Sequence, residues 1–137
     1  MSIKQLFAKK WAKRVVNSTN KWAQNPIATQ EKVLKMLLQK AKKTAFGQDH
    51  GFAQIENYED FAKQVPIRDY EGLRPYVDRV VAGEADILWP GKPRYFSKTS
   101  GTTSGVKYIP ISKESMPTHI KTAQNALFHY IHHSGNT

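Results

Sequence analysis

The sequence predicts an α/β chain: a mainly helical lead-in over residues 1–86, then a strand, a polar loop, a second strand and a helix over residues 87–137. Three observations carry this reading. Apolar residues recur at helical spacing through the first half of the chain. Loop chemistry, Leu88-Trp89-Pro90-Gly91-Lys92-Pro93, then breaks that pattern. Finally, residues 94–98 and 107–111 have strand character and flank a Ser/Thr/Gly segment without one large side chain.

Taking the elements in order, Ile3, Leu6, Phe7, Trp11, Val15 and Trp22 place an amphipathic helix over residues 3–23, with Lys9, Lys10, Lys13 and Arg14 on its other faces. Asn25 as N-cap and Pro26 at the first helical position open a second helix. Its apolar positions Val33, Leu34, Leu37, Leu38, Ala41 and Ala45 carry it to Gly47, expected as its C-cap. Residues 57–64 form a short capped helix ending before Val65-Pro66. Residues 69–82 form another, and Pro75 within it predicts that two short helical pieces meet there, because proline lacks the N–H that a helix interior uses. After the two strands, Pro110 points to an edge or strand end for the second. A last helix from about Lys113 puts Met116, Ile120, Ala123, Leu127, Tyr130 and Ile131 on one stripe.

Composition narrows the function. The chain has 137 residues, 39% of them hydrophobic, so disordered and collagen-like classes are excluded. The absence of cysteine excludes disulfide scaffolds, Cys-ligated zinc, iron–sulfur clusters and thiol catalysis. No run approaches the ~20 apolar residues of a membrane span, so none is expected. The first ten residues interrupt their apolar positions with charge, unlike a secretory signal, so the cytoplasm is the expected compartment. The formal charge of +10 is concentrated at the start: residues 1–43 hold 11 Lys and Arg and only Glu31, whereas the remainder holds ten of each sign. Such a block is either the solvated face of two helices or a surface for nucleic acid, an anionic membrane or an acidic partner. It lacks the interleaved aromatics of single-strand binders and any nucleic-acid motif, so no specific nucleic acid is expected.

The segment that carries chemistry is Ser97-Lys98-Thr99-Ser100-Gly101-Thr102-Thr103-Ser104-Gly105-Val106-Lys107. Small hydroxyl residues and glycines let backbone N–H groups converge on an anion, the hydroxyls add donors and the lysine adds charge, a combination suited to polyphosphate. It is not a Walker A loop: three residues separate Gly101 from Gly105, Lys107 does not follow the second glycine, and Tyr108 stands where a magnesium-binding hydroxyl is needed. Composition alone leaves two readings open, a phosphate loop and a surface hairpin loop.

Ser100-Gly101-Thr102-Thr103 followed four positions later by Lys107 resembles the ATP phosphate signature of the acyl-adenylate-forming superfamily, which includes firefly luciferase. The broad signature has Gly where Ser104 stands and Pro where Val106 stands. Those departures, with residues 87–93, Phe96-Ser97-Lys98-Thr99 and Tyr108-Ile109-Pro110, resemble the auxin-responsive acyl-acid amido synthetases of plants and their bacterial relatives. Phe46-Gly47, Tyr58-Glu59-Asp60-Phe61 and Val65-Pro66-Ile67-Arg68-Asp69-Tyr70-Glu71 extend the resemblance, which covers about residues 30–120.

What the resemblance implies is ATP- and magnesium-dependent activation of a small carboxylic acid as its acyl-adenylate, with transfer of the acyl group to an amino acid. Ser100, Thr102, Thr103 and Ser104 would supply hydroxyl and backbone donors, Gly101 and Gly105 close approach, and Lys107 charge. It also implies that residues 1–137 are the N-terminal portion of one incomplete adenylate-forming domain. Motifs for adenine, ribose, metal and the acyl group are then expected beyond Thr137, and this chain alone is expected to be inactive and poorly stable. The alternative is a small basic helical module whose residues 1–43 bind an anionic surface or nucleic acid.

Four smaller constellations receive structural readings. His129 and His133 share a helix face and admit a metal, but no Asp or Glu is near and a helix C-terminus favours His through its dipole. Asp49-His50 has no nucleophile beside it and reads as a polar turn; Trp89 reads as a packing anchor. Asp69, Glu71 and Asp78 lie among mixed charge and read as surface pairs.

Overall fold

A computed structural model describes residues 3–99 and 105–136. Six helices and two strands occur among them, in the order α1 (Ile3–Ala23), α2 (Pro26–Ala41), α3 (Ala45–Asp49), α4 (Tyr58–Gln64), α5 (Tyr70–Val81), β1 (Tyr95–Thr99), β2 (Lys107–Ile111) and α6 (Ser115–Ser134). The fold is therefore mostly helical with a small two-stranded sheet. Contacts divide the chain into two units, one holding residues 1–29 and 114–137, the other residues 30–113.

In the first unit α1 packs on α6. The buried positions of α1 are Ala12 and Val16, and that of α6 is Ile131. This corrects the stripes expected from periodicity: Ile3, Leu6, Phe7, Trp11 and Trp22 of α1, and Ile120, Leu127 and Tyr130 of α6, are exposed. The physical reason is close approach. Ala12 is fully buried, and a small side chain there lets two helices meet along a face that periodicity of large residues does not reveal.

The second unit is built around α3 and α5. Leu38, Ala41, Ile55, Val77, Val80 and Ile87 form its buried apolar positions. Phe46 stacks on His50 with ring centroids 4.0 Å apart and meets Tyr76 and Phe52 edge-on. The expected single helix ending at Gly47 is corrected: α2 stops at Ala41 and Thr44 starts α3. Thr44 is 1% exposed; its Oγ1 donates to the Ala41 carbonyl at 2.7 Å and accepts from the Gly47 N–H at 3.1 Å. It thus closes one helix and caps the next. Gly47 lies inside α3 rather than past a helix end, and a Cβ there would fall 2.1 Å from the Ala41 carbonyl oxygen.

The expected break at Pro75 is likewise corrected, since α5 runs unbroken through it. Asp69 caps α5, accepting from the Gly72 N–H at 2.9 Å, and Val77 and Val80 bury its far side. Proline removes one backbone bond, and capping plus burial outweigh that loss. The first-turn amides Ala45 and Phe46 donate to the carbonyls of Asp86 and Ile87 at 2.8 and 3.0 Å, tying α3 to the segment that leads into the sheet. β1 and β2 pair antiparallel from Tyr95–Ile111 to Thr99–Lys107. Pro110 stands in β2 of this two-stranded sheet, where every strand is an edge, as expected.

Candidate functional site

β1 ends and β2 begins at the paired residues Thr99 and Lys107. Ser100, Gly101, Thr102, Thr103 and Ser104 lie outside the described residues. Gly105 and Lys107, the remaining candidate residues, are described. Gly105 has φ +79°, and an added Cβ would meet nothing within 4 Å. Glycine is suited here by the left-handed backbone.

Lys107 opens β2. Its Nζ stands 5.3 Å from the centroid of the Tyr70 ring, a cation–π distance. No carboxylate pairs with it among the described residues. Next to it, the Tyr108 N–H donates to Tyr70 Oη at 2.9 Å, and that hydroxyl makes a long 3.5 Å bond back to the Tyr108 carbonyl. Tyr108 also packs edge-on against Phe96 of β1. Tyr70 is the first residue of α5 and is held at that position by the Asp69 cap. One phenol on a helix start thus meets both the first cation and the second amide of the strand that follows the loop. Tyr70 carries no role that its local sequence indicates. It lies in the stretch that carries the resemblance, but nothing local signals a partner 38 positions away.

Among the described residues, Lys107 has no carboxylate partner and Gly105 has a left-handed backbone, and a cation and a glycine of this kind are groups that a phosphate site could draw on. Among the described residues no group of three or more His, Asp or Glu could hold an ion. His129 and His133 stack with centroids 6.1 Å apart, yet His129 Nε2 lies 3.1 Å from Thr19 Oγ1 and His133 Nδ1 donates to the His129 carbonyl.

The other constellations have structural roles. Asp49 accepts from Tyr76, and buried His50 donates through Nδ1 to the Phe46 carbonyl at 2.8 Å. Glu71 pairs with Arg74 at 2.7 Å. Trp89 is half-buried, with Lys40 Nζ 5.9 Å from its ring centroid. No helix among the described residues is long and apolar enough to cross a membrane.

A family model described as the GH3 family N-terminal domain matches residues 15–136. The chain is 32% identical over 93 residues to the indole-3-acetic acid-amido synthetase GH3.15 of Arabidopsis thaliana, covering 66% of this chain and 16% of that protein. It is 34% identical over 89 residues to the jasmonoyl-L-amino acid synthetase JAR6 of Nicotiana attenuata, covering 64% and 15%. A third relative, the 4-substituted benzoates-glutamate ligase GH3.12 of Arabidopsis thaliana, is 38% identical over 71 residues, covering 51% and 11%. The chain thus spans about one-sixth or less of the length of these relatives.

Proposed function

Because the chain belongs to the GH3 family, we propose that it is the N-terminal part of an ATP-dependent acyl-acid amido synthetase. The whole protein activates a small carboxylic acid as acyl-adenylate and passes the acyl group to an amino acid, in the cytoplasm. The relatives' names support the acid and amino acid classes: indole-3-acetic acid, a jasmonoyl group and benzoates on one side, amino acids on the other. In this reading residues 1–86 are the lead-in and residues 87–137 the first strands and phosphate loop of one adenylate-forming domain.

The observation that carries the proposal is the Ser/Thr/Gly segment between paired strands, with Lys107 at its base and no carboxylate neutralising it among the described residues. In this reading a carboxylate oxygen would bond to the α-phosphorus of ATP as the bond to pyrophosphate breaks, and AMP would leave when the amine of the amino acid takes the acyl group. Ser100, Thr102, Thr103 and Ser104 donate to the β- and γ-phosphates of ATP through hydroxyl and backbone groups. Gly101 and Gly105 let the phosphates approach the backbone, and Lys107 offsets their charge. Magnesium accompanies the nucleotide, and no described residue is assigned to it. The 137-residue chain alone is inactive, because residues for the adenine, the ribose and the acid lie elsewhere in the whole protein.

The test is acid-dependent exchange of pyrophosphate into ATP by the whole protein. Thr102→Val with Thr103→Val removes charge-assisted hydrogen bonds of roughly 1.5–3 kcal/mol each, so exchange should fall at least tens-fold. Unchanged exchange in a folded double variant removes the phosphate role.

A further inference from the structure

We infer that Tyr70 is a positioning residue for the anion that Lys107 meets, an inference that rests on the phosphate role proposed for the loop. Lys107 has a long, flexible side chain at the first position of a two-stranded sheet, and such a side chain ordinarily loses entropy when it is directed at a ligand. Tyr70 reduces that freedom twice. Its ring faces the ammonium at 5.3 Å, which limits where the cation resides without neutralising it, as a carboxylate would. Its hydroxyl accepts from the Tyr108 amide at 2.9 Å, fixing the backbone one residue beyond Lys107.

Among the described residues β2 pairs with β1 only, and the Tyr108 amide bonds to Tyr70, so the phenol secures a strand edge that this sheet leaves open. Tyr70 is itself anchored, as the first residue of a helix that Asp69 caps and that Val77 and Val80 bury. The arrangement therefore ties the strand after the loop to the core of its unit through one side chain.

The experiment measures the equilibrium dissociation constant of ATP with the whole protein by titration calorimetry, together with hydrogen exchange at the Tyr108 amide. Lys107→Gln should weaken ATP by about tenfold, the size of one charge-assisted contact. Tyr70→Leu should weaken it roughly three- to tenfold, while adding almost nothing in a Lys107→Gln background, because both changes remove the same directed cation. Tyr70→Phe keeps the ring and should retain most of the affinity while the Tyr108 amide exchanges faster; it also covers the case in which Tyr70→Leu fails to fold. Additive effects of Tyr70→Leu and Lys107→Gln, or Tyr108 exchange unchanged in Tyr70→Phe, overturn the inference and leave the proposed function standing. If Lys107→Gln and the paired Thr102 and Thr103 changes all leave ATP affinity intact, the phosphate reading fails and the Tyr70 inference fails with it.

Discussion

The Tyr76 hydroxyl donates to Asp49 Oδ2 at 2.8 Å, joining the last residue of α3 to the middle of α5 across 27 positions of chain. Burial holds the phenol above its ordinary value of 10.0, the Asp49 hydrogen bond and charge add to that, and Arg68 opposes it. A raised value means that the folded state keeps the proton more tightly than the unfolded one. The resulting stabilisation is fully present below about pH 10 and is lost as pH rises through the raised value. Tyr76→Phe should therefore flatten the alkaline loss of stability relative to the parent protein, read by denaturant melts at stepped pH. Identical pH slopes in the two proteins would show that the pair has no such linkage.

The junction between α2 and α3 is expected to be the least forgiving point of the second unit. Thr44→Val keeps the shape but leaves the Ala41 carbonyl and the Gly47 N–H without the hydroxyl that serves both. The cost should be about 1–3 kcal/mol. Gly47→Ala should cost at least as much, since its Cβ would sit 2.1 Å from a backbone oxygen that has no room to move inside a packed junction. Chemical denaturation of each variant measures both; a loss under about 0.5 kcal/mol in either would show that the backbone there yields.

The basic block, residues 1–43, is expected to behave as a helix surface with weak, nonspecific attraction for anions. Binding to DNA or to acidic vesicles should weaken steeply between about 0.01 and 0.15 M salt, because the screening length shortens from roughly 30 to 8 Å. Sedimentation with vesicles and filter binding of DNA report this directly. Tight, sequence-dependent binding at the higher salt would instead favour the alternative of a basic binding module.

What the sequence determined by itself are the elements whose causes are local. Asn57 and Asp69 cap α4 and α5 through side chains that reach only three residues ahead, and Pro26 opens α2 where proline is tolerated. The strands lie within one residue of where the composition of 94–98 and 107–111 places them. The family was legible for a similar reason, since the segments from Phe46 to Pro110 that carry the resemblance are contiguous runs. Tertiary structure decided three other matters. It selected Ala12 and Val16 as the buried face of α1 over the larger Phe7 and Trp11, because helix packing responds to the shape of the neighbour as well as to apolar surface. It divided one expected helix at Thr44, where a buried hydroxyl can serve two helices only if α3 turns back past the Ala41 carbonyl. It brought Tyr70 against Lys107 and Tyr108, because a bond across 38 positions depends on how the intervening chain packs, and no local spacing records that.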